Sequence, residues 1–391
     1  MYKIVTRNKI ADCGLKELPP EIFAVSDTET NPDGVLLRSY VMSEAELNPE
    51  LKAIGRAGAG VNNIPVDACA EKGIVVFNTP GANANGVKEI VLASLFLASR
   101  DIVGGISWAQ SLKGETGVAK TVEKGKAEFV GPEIAGKRLG VIGLGAIGVL
   151  VANACRHLGM TVTGYDPFIS VDAAWGLSRG VYKASSLDAL LAECDYITIH
   201  VPVNKDTKGM FNKELFAKCK KGMRIINTAR AELVDDAALL EAIDNETVFC
   251  YVTDFPTENM LGHKRIIPIP HLGASTPESE DNCATMASAQ IRDYLLHGNI
   301  KNSVNFPDCE IPYTGKKRVC VIHRNVAKVI SSITTAFANN AVNISNMINK
   351  SRGDYAYTML DVDCDDPDGV EHDLCELDNI IKVRVLNECN H

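Results

Sequence analysis

Residues 139–166 constrain the fold more than any other part of the chain. An apolar run, 139–142, is followed at once by Gly143-Leu144-Gly145-Ala146-Ile147-Gly148, then by a helical pattern, then by a second apolar run that ends on Asp166. Glycines at these spacings permit a tight turn, let the backbone approach a pyrophosphate, and allow close packing of a helix whose N-terminus favours anions. An acid closing the second strand is placed to accept hydrogen bonds from ribose hydroxyls. Asp166 would repel a 2′-phosphate, and Pro167-Phe168 brings no arginine beside it. The pattern therefore predicts NAD rather than NADP, held by Gly143, Gly145, Ala146, Ile147, Gly148 and Asp166. A tight glycine turn with no ligand is the plainer alternative.

After 139–142, apolar runs alternate with helical patterns through 161–165, 196–200, 224–227, 248–253 and 266–268, and with 139–142 these give six strands of a doubly wound sheet. Runs at 4–6, 35–37, 53–54 and 74–77 predict a second parallel sheet with helices on both faces. A helical pattern over 86–102 leads into a Lys- and Gly-rich stretch, 113–137, that reads as an exposed connection. The pattern over 277–297 is one long helix expected to return the chain to the first unit, and 302–315 reads as a linker. The tail follows a strand, helix, strand, strand, helix, strand order, which is ferredoxin-like. The expected class is α/β: two doubly wound parallel-sheet domains, one split (1–95 plus 277–308) and one dinucleotide-binding (96–276), then a C-terminal α+β domain (316–391).

Forty Lys and Arg against forty-nine Asp and Glu leave a net charge of −9, so bulk electrostatics favour neither nucleic acid nor an anionic membrane. An anionic ligand then needs a local basic pocket. The charged start, Met-Tyr-Lys-Ile-Val-Thr-Arg, and the absence of a long apolar run lead us to expect a cytoplasmic protein. Twelve cysteines scattered from Cys13 to Cys389 without a Cys-x-x-Cys pair suit reduced thiols, and no metal site is expected.

Three loops follow strands of the second sheet at the edge where such sheets present ligands: Asn227-Thr228-Ala229-Arg230, Asp254-Phe255-Pro256-Thr257-Glu258 and Pro270-His271-Leu272-Gly273. Each alone is weak, since a lone arginine is commonly a surface ion pair and a lone histidine a structural residue. Together, Arg, Glu and His form the set that hydride transfer at a 2-hydroxy acid requires: a carboxylate clamp, a general base, and a carboxylate that orients that base.

With these loops, His200-Val201-Pro202, the run Gly55 to Ile64 and Phe77-Asn78-Thr79-Pro80, the sequence resembles the D-isomer-specific 2-hydroxyacid dehydrogenases over nearly its whole length. The resemblance implies NAD-dependent oxidation of a phosphorylated 2-hydroxy acid, D-3-phosphoglycerate, to its 2-keto product. It makes His271 the acid/base, Glu258 its partner and Arg230 the clamp. Asp254 would bind the nicotinamide carboxamide, and His200, Pro202, Thr207 and Thr228 would line the cofactor channel. Arg38, Ser39, Arg56, Gly58 and Asn78 would form the substrate side, with the two arginines at the phosphate. A reductase of hydroxypyruvate or glyoxylate, which would not need both arginines, stays open, as does an NAD-sensing corepressor. Ala231, Asn259 and the short stretch from Glu258 to His271, with His263, Lys264 and Arg265, depart from the family pattern.

The tail resembles an ACT regulatory domain. That resemblance implies a homodimer or homotetramer and an L-serine site at His323-Arg324-Asn325-Val326 and Asn343-Ile344-Ser345-Asn346, or else a module that only dimerises. It also implies that a chain ending near Gly315 stays active.

Overall fold

The computed structural model describes residues 1–364 and 367–386, so Cys389 lies outside the described residues. The chain divides into two compact units: Met1–Ala82 with the segment from Glu280 onward, and Asn83–Ser279. The helix Ala84–Ser99, part of which the sequence reading placed in the first domain, lies wholly in the second unit.

In the first unit, β1 (Tyr2–Arg7), β2 (Phe23–Ser26), β3 (Gly34–Leu37), β4 (Ala53–Arg56) and β5 (Val75–Phe77) form a parallel sheet in the order β2-β1-β3-β4-β5. The order reverses between β1 and β3. Carboxyl ends at such a point leave a crevice for ligands, and β3 there runs directly into Arg38. The strand β2 escaped the sequence reading because it is a short edge strand with Ala24 and Val25 exposed.

The second unit carries β6 (Arg138–Ile142), β7 (Thr161–Tyr165), β8 (Val181–Lys183), β9 (Tyr196–Ile199), β10 (Met223–Asn227), β11 (Val248–Thr253) and β12 (Ile266–Pro268), all parallel, in the order β12-β11-β10-β9-β6-β7-β8. This is the dinucleotide-binding order, reversing between β6 and β9. Seven strands replace the expected six. The extra one, β8, is three residues long with none buried, so it leaves no apolar signature. The pattern over 86–102 also resolves differently: Arg100 is extended, Asp101 caps a new helix by accepting from Gly104 N at 2.9 Å, and helices Ala84–Ser99 and Ile102–Ser111 meet at 70°. The stretch 113–137 is not all connection, because Val118–Gly125 is helical. No single helix among the described residues is long and apolar enough to cross a membrane.

The tail forms an antiparallel sheet of β13 (Lys317–Arg324), β14 (Asn343–Arg352), β15 (Tyr355–Asp363) and β16 (Ile380–Leu386), ordered β14-β15-β13-β16. Its Val319, Val321 and Leu360 pack on Ile333, Phe337, Val370 and Leu374 of the two tail helices. Alternate residues turn the other way, as strand geometry requires. Cys320, Ile322, Tyr357, Met359 and Leu386 thus join one core with Ile4, Phe77, Ala287, Ile291 and Tyr294. The tail sheet is thus a wall of the first unit's core.

Two buried arginines complete that wall. The helix Pro277–His297 ends inside it, and terminal carbonyls of a helix have no partner within it. Tyr294 O accepts from Gly298 N (3.0 Å) and Arg384 (3.3 Å), Leu295 O from Tyr2 Oη (2.9 Å) and Arg384 (3.0 Å), His297 O from Arg318 (2.7 Å), and Gly298 O from Tyr357 Oη (2.7 Å). Arg318, fully buried, is also paired with Asp361 at 2.6 Å. Arg318→Met leaves that carboxylate buried and alone, so it should lower stability by about 3–5 kcal/mol, read from the shift in urea unfolding. An unchanged midpoint would remove Arg318 from this role.

Candidate functional site

The glycine turn after β6 assigns a different task to each glycine. Gly143 has φ +89°, and a Cβ there would lie 2.6 Å from the His200 carbonyl oxygen. A Cβ on Gly148 would lie 1.9 Å from the carbonyl oxygen of Gly143, so the turn and helix Ala146–His157 close together only without a side chain. At Gly145 a Cβ would meet nothing within 4 Å. That open face of backbone at a helix N-terminus is where a pyrophosphate fits. Asp166 accepts from Leu144 N (2.8 Å) and Phe168 N (2.9 Å), which fixes the turn against the end of β7 and leaves lone pairs for ribose hydroxyls. Across the switch point, His200 Nε2 pairs with Thr198 Oγ1 at 2.9 Å, and burial pushes its imidazole down to about 3, so the ring is neutral at physiological pH. Pro202 O accepts from Thr207 Oγ1 (2.6 Å), and Asn204, not anticipated from sequence, holds that loop through Asp206 N and Thr207 N. Thr228 Oγ1 is buried without a hydrogen-bond partner, the kind of atom that a bound polar group satisfies. These residues fit NAD.

The loops after β10, β11 and β12 are organised by two buried polar side chains. Asn227 donates to Arg230 O (2.8 Å) and Tyr251 Oη (3.0 Å) and accepts from Ala229 N (3.1 Å), shaping the turn that exposes Arg230. Asp254, 2% exposed, accepts from Leu272 N (2.7 Å) and Gly273 N (2.8 Å). Its carboxylate anchors the His271 loop. His271 is exposed and takes φ +52°, a left-handed conformation that a non-glycine residue keeps only when its surroundings fix it. The Phe255 ring centroid lies 4.5 Å from that of His271 and 5.5 Å from the Arg230 guanidinium carbon, so one aromatic ring spaces the two. Sequence reasoning overlooked Phe255, although it stands inside the Asp254–Glu258 motif. Glu258 opens a short 3₁₀ turn and is exposed, with no hydrogen bond joining it to His271.

In the first unit, Asn8, at φ +68°, accepts from Ser39 N (3.1 Å) and Tyr40 N (2.6 Å) and so shapes the turn after β3. Arg56 closes β4, and its guanidinium lies over Gly58, where a Cβ would sit 2.0 Å from a guanidinium nitrogen. Asn78 Nδ2 donates to Ala59 O (2.6 Å) and Thr79 N to Gly58 O (3.1 Å), tying that glycine loop to the end of β5. Arg38 is paired with Glu280 at 2.7 Å.

The tail residues proposed for an amino acid are engaged within the unit. His323 is buried with its ring nitrogens on Arg324 O and Thr358 Oγ1, both at 2.9 Å, and Arg324 pairs with Glu71. Asn325 donates to Gly353 O and Asn343 to Asp363.

Residues 93–273 match the family described as D-isomer specific 2-hydroxyacid dehydrogenase, NAD binding domain. The chain is 35% identical over 326 residues to D-3-phosphoglycerate dehydrogenase of Bacillus subtilis, covering 78% of this chain and 59% of that protein. It is 36% identical over 291 residues to D-3-phosphoglycerate dehydrogenase of Archaeoglobus fulgidus, covering 71% and 52%. The crystal structure of cofactor (NAD+) bound 3-phosphoglycerate dehydrogenase in Entamoeba histolytica aligns with a TM-score of 0.59 at 29% identity, covering 78% of this chain and 98% of that one. The chain spans half to three-fifths of the length of the curated relatives it matches. Over residues 93–273 the chain is similar to the NAD-binding domain of the D-isomer specific 2-hydroxyacid dehydrogenases.

The three glycines should separate on substitution. Gly148→Ala should lower the melting temperature, whereas Gly145→Ala should leave it unchanged and weaken NAD in a fluorescence titration. Equal melting losses would contradict the open face at Gly145. His200 adds a pH signature. A part-buried imidazole held near 3 against an ordinary 6.5 binds fewer protons folded than unfolded, so stability falls as pH drops from about 6.5 toward 3. Urea midpoints should show the parent losing stability relative to His200→Gln across that window.

Proposed function

We propose that this chain oxidises D-3-phosphoglycerate to 3-phosphohydroxypyruvate with NAD, the first step of L-serine biosynthesis. The observation that carries the reading is the pairing of Arg230 and His271 about one Phe255 ring on the ligand edge of an NAD-binding sheet. The phosphoglycerate dehydrogenases at 35% and 36% identity support the choice of substrate. NAD, when bound, supplies the hydride acceptor. In this reading Gly143, Gly145, Ala146, Ile147 and Gly148 hold its pyrophosphate, Asp166 its ribose, and His200, Pro202, Thr207 and Thr228 line its channel. Asp254 is assigned to the nicotinamide carboxamide and also anchors the His271 loop.

Arg230 forks onto the substrate carboxylate. His271 takes the C2 hydroxyl proton as C2 loses its hydride, leaving the ketone. Glu258 is assigned to the imidazolium that results; hydrogen bonds of this kind are often open in ligand-free enzymes and tighten with substrate. Arg38, Ser39 and Arg56 take the phosphate, with Gly58 and Asn78 shaping that end.

The proposal includes a substrate-binding domain, an NAD domain and an ACT-like tail of 316–391, the first boundary falling before helix Ala84–Ser99 rather than at 95. A homodimer or homotetramer is supported by Ile102, Val103 and Ile106, exposed on a helix with no buried residue. A cytoplasmic location is supported by the free thiols of every described cysteine. The tail contributes to the core of its own unit, and L-serine is the effector to test there.

NAD reduction with D-3-phosphoglycerate, beside a panel of unphosphorylated 2-hydroxy acids, tests the reading. His271→Ala should lower kcat by about 100- to 10,000-fold. Arg56→Ala should raise KM for 3-phosphohydroxypyruvate far more than for hydroxypyruvate. Equal effects on the two would favour a reductase of small keto acids.

A further inference from the structure

The assigned phosphate end carries a carboxylate of its own. Glu280, in the first turn of helix Pro277–His297, meets the Arg38 guanidinium at 2.7 Å, and both side chains are about half exposed, 46% and 43%. Arg56 stands in register with Leu37, the residue before Arg38, on adjacent strands, so both arginines lie at the same edge of the first sheet. Two arginines and one carboxylate sum there to a single positive charge. A phosphomonoester brings a charge near −2 and three strong acceptor oxygens. Glu280 competes with it for the Arg38 guanidinium at Nη2 and repels it as it arrives.

We propose that Glu280 is a specificity-setting counter-ion: it holds Arg38 when no substrate is present and is displaced from it by the substrate phosphate. The inference rests on the assignment of Arg38 to that phosphate. A small unphosphorylated keto acid leaves the ion pair closed, so Glu280 governs the ratio of the two KM values rather than kcat. An ion pair this exposed contributes modestly, so its loss is worth on the order of two- to five-fold in affinity.

The experiment runs the reductive reaction with 3-phosphohydroxypyruvate and with hydroxypyruvate for the parent, Glu280→Gln, Arg38→Ala and the double variant. Glu280→Gln should lower KM for the phosphorylated substrate about two- to five-fold relative to that for hydroxypyruvate. It should also tighten inhibition by inorganic phosphate, and both effects should shrink as salt rises. In the Arg38→Ala background the same substitution should lose most of its effect, since the two side chains act as one pair. A KM ratio in Glu280→Gln equal to or above the parent's, with Arg38→Ala raising that ratio, overturns the inference and leaves the phosphate assignment standing. A parental ratio in Arg38→Ala overturns the phosphate assignment itself.

Discussion

The carbonyl oxygens at the end of helix Pro277–His297 set the condition that the first unit has to meet. A helix that stops in solvent leaves its last carbonyls to water, but this one stops where Tyr294 and Leu295 are fully buried. Unsatisfied acceptors there would each cost about 1–3 kcal/mol. Gly298 N and Tyr2 Oη reach Tyr294 O and Leu295 O, and Arg384 adds a second donor to each; at His297 O and Gly298 O the donors are Arg318 and Tyr357 of the tail sheet. Burying a guanidinium is itself costly, and Asp361 offsets that cost for Arg318 by taking two of its donors. For Arg384 the Tyr294 ring lies 4.4 Å away and adds a cation–π contact. The fusion of tail and parallel sheet into one core is a consequence of this capping as much as of apolar burial.

In the second unit the same economy of buried polar groups builds loops instead of walls. Asn227 and Asp254 sit at the ends of adjacent strands, and each uses its side chain to hold backbone of a ligand loop. Neither touches solvent, yet both determine where exposed Arg230 and His271 stand. A left-handed His271 is tolerable because Asp254 fixes the two amides that follow it. Rigid strands, buried anchors and exposed reactive side chains thus form three successive shells.

Much of this was legible in the sequence, for local reasons. The glycine turn, Asp166 and the order of strands are written in short-range spacing, and the structure places them as read. Short edge strands such as β2 and β8 were not legible, because exposed side chains erase the apolar pattern that identifies a strand. Arg318 and Arg384 stand in apolar runs, where sequence alone gives no sign that a helix end lies across the sheet. Asp254 reads as a carboxylate facing a ligand, and nothing local reveals that the amides of Leu272 and Gly273, eighteen and nineteen residues on, each bond one of its oxygens as well. Glu280 is a commonplace acid in a first helical turn. Its partner Arg38 is remote in the chain, so the pairing is visible only in three dimensions.

The split of the first unit bears on how the protein emerges from the ribosome. Ile4 and Phe77 share a core with Tyr294, Tyr357 and Leu386, so the opening strands are made long before the residues that cover them. At about 5–20 residues per second, some 300 residues must still be added, an interval on the order of 15 to 60 s. The segment 83–279 is contiguous and has its full set of strands well before that interval ends. During synthesis the nascent chain therefore carries a finished nucleotide-binding body and, ahead of it, an unfinished apolar sheet. That sheet is a natural client for chaperones until the last strand arrives.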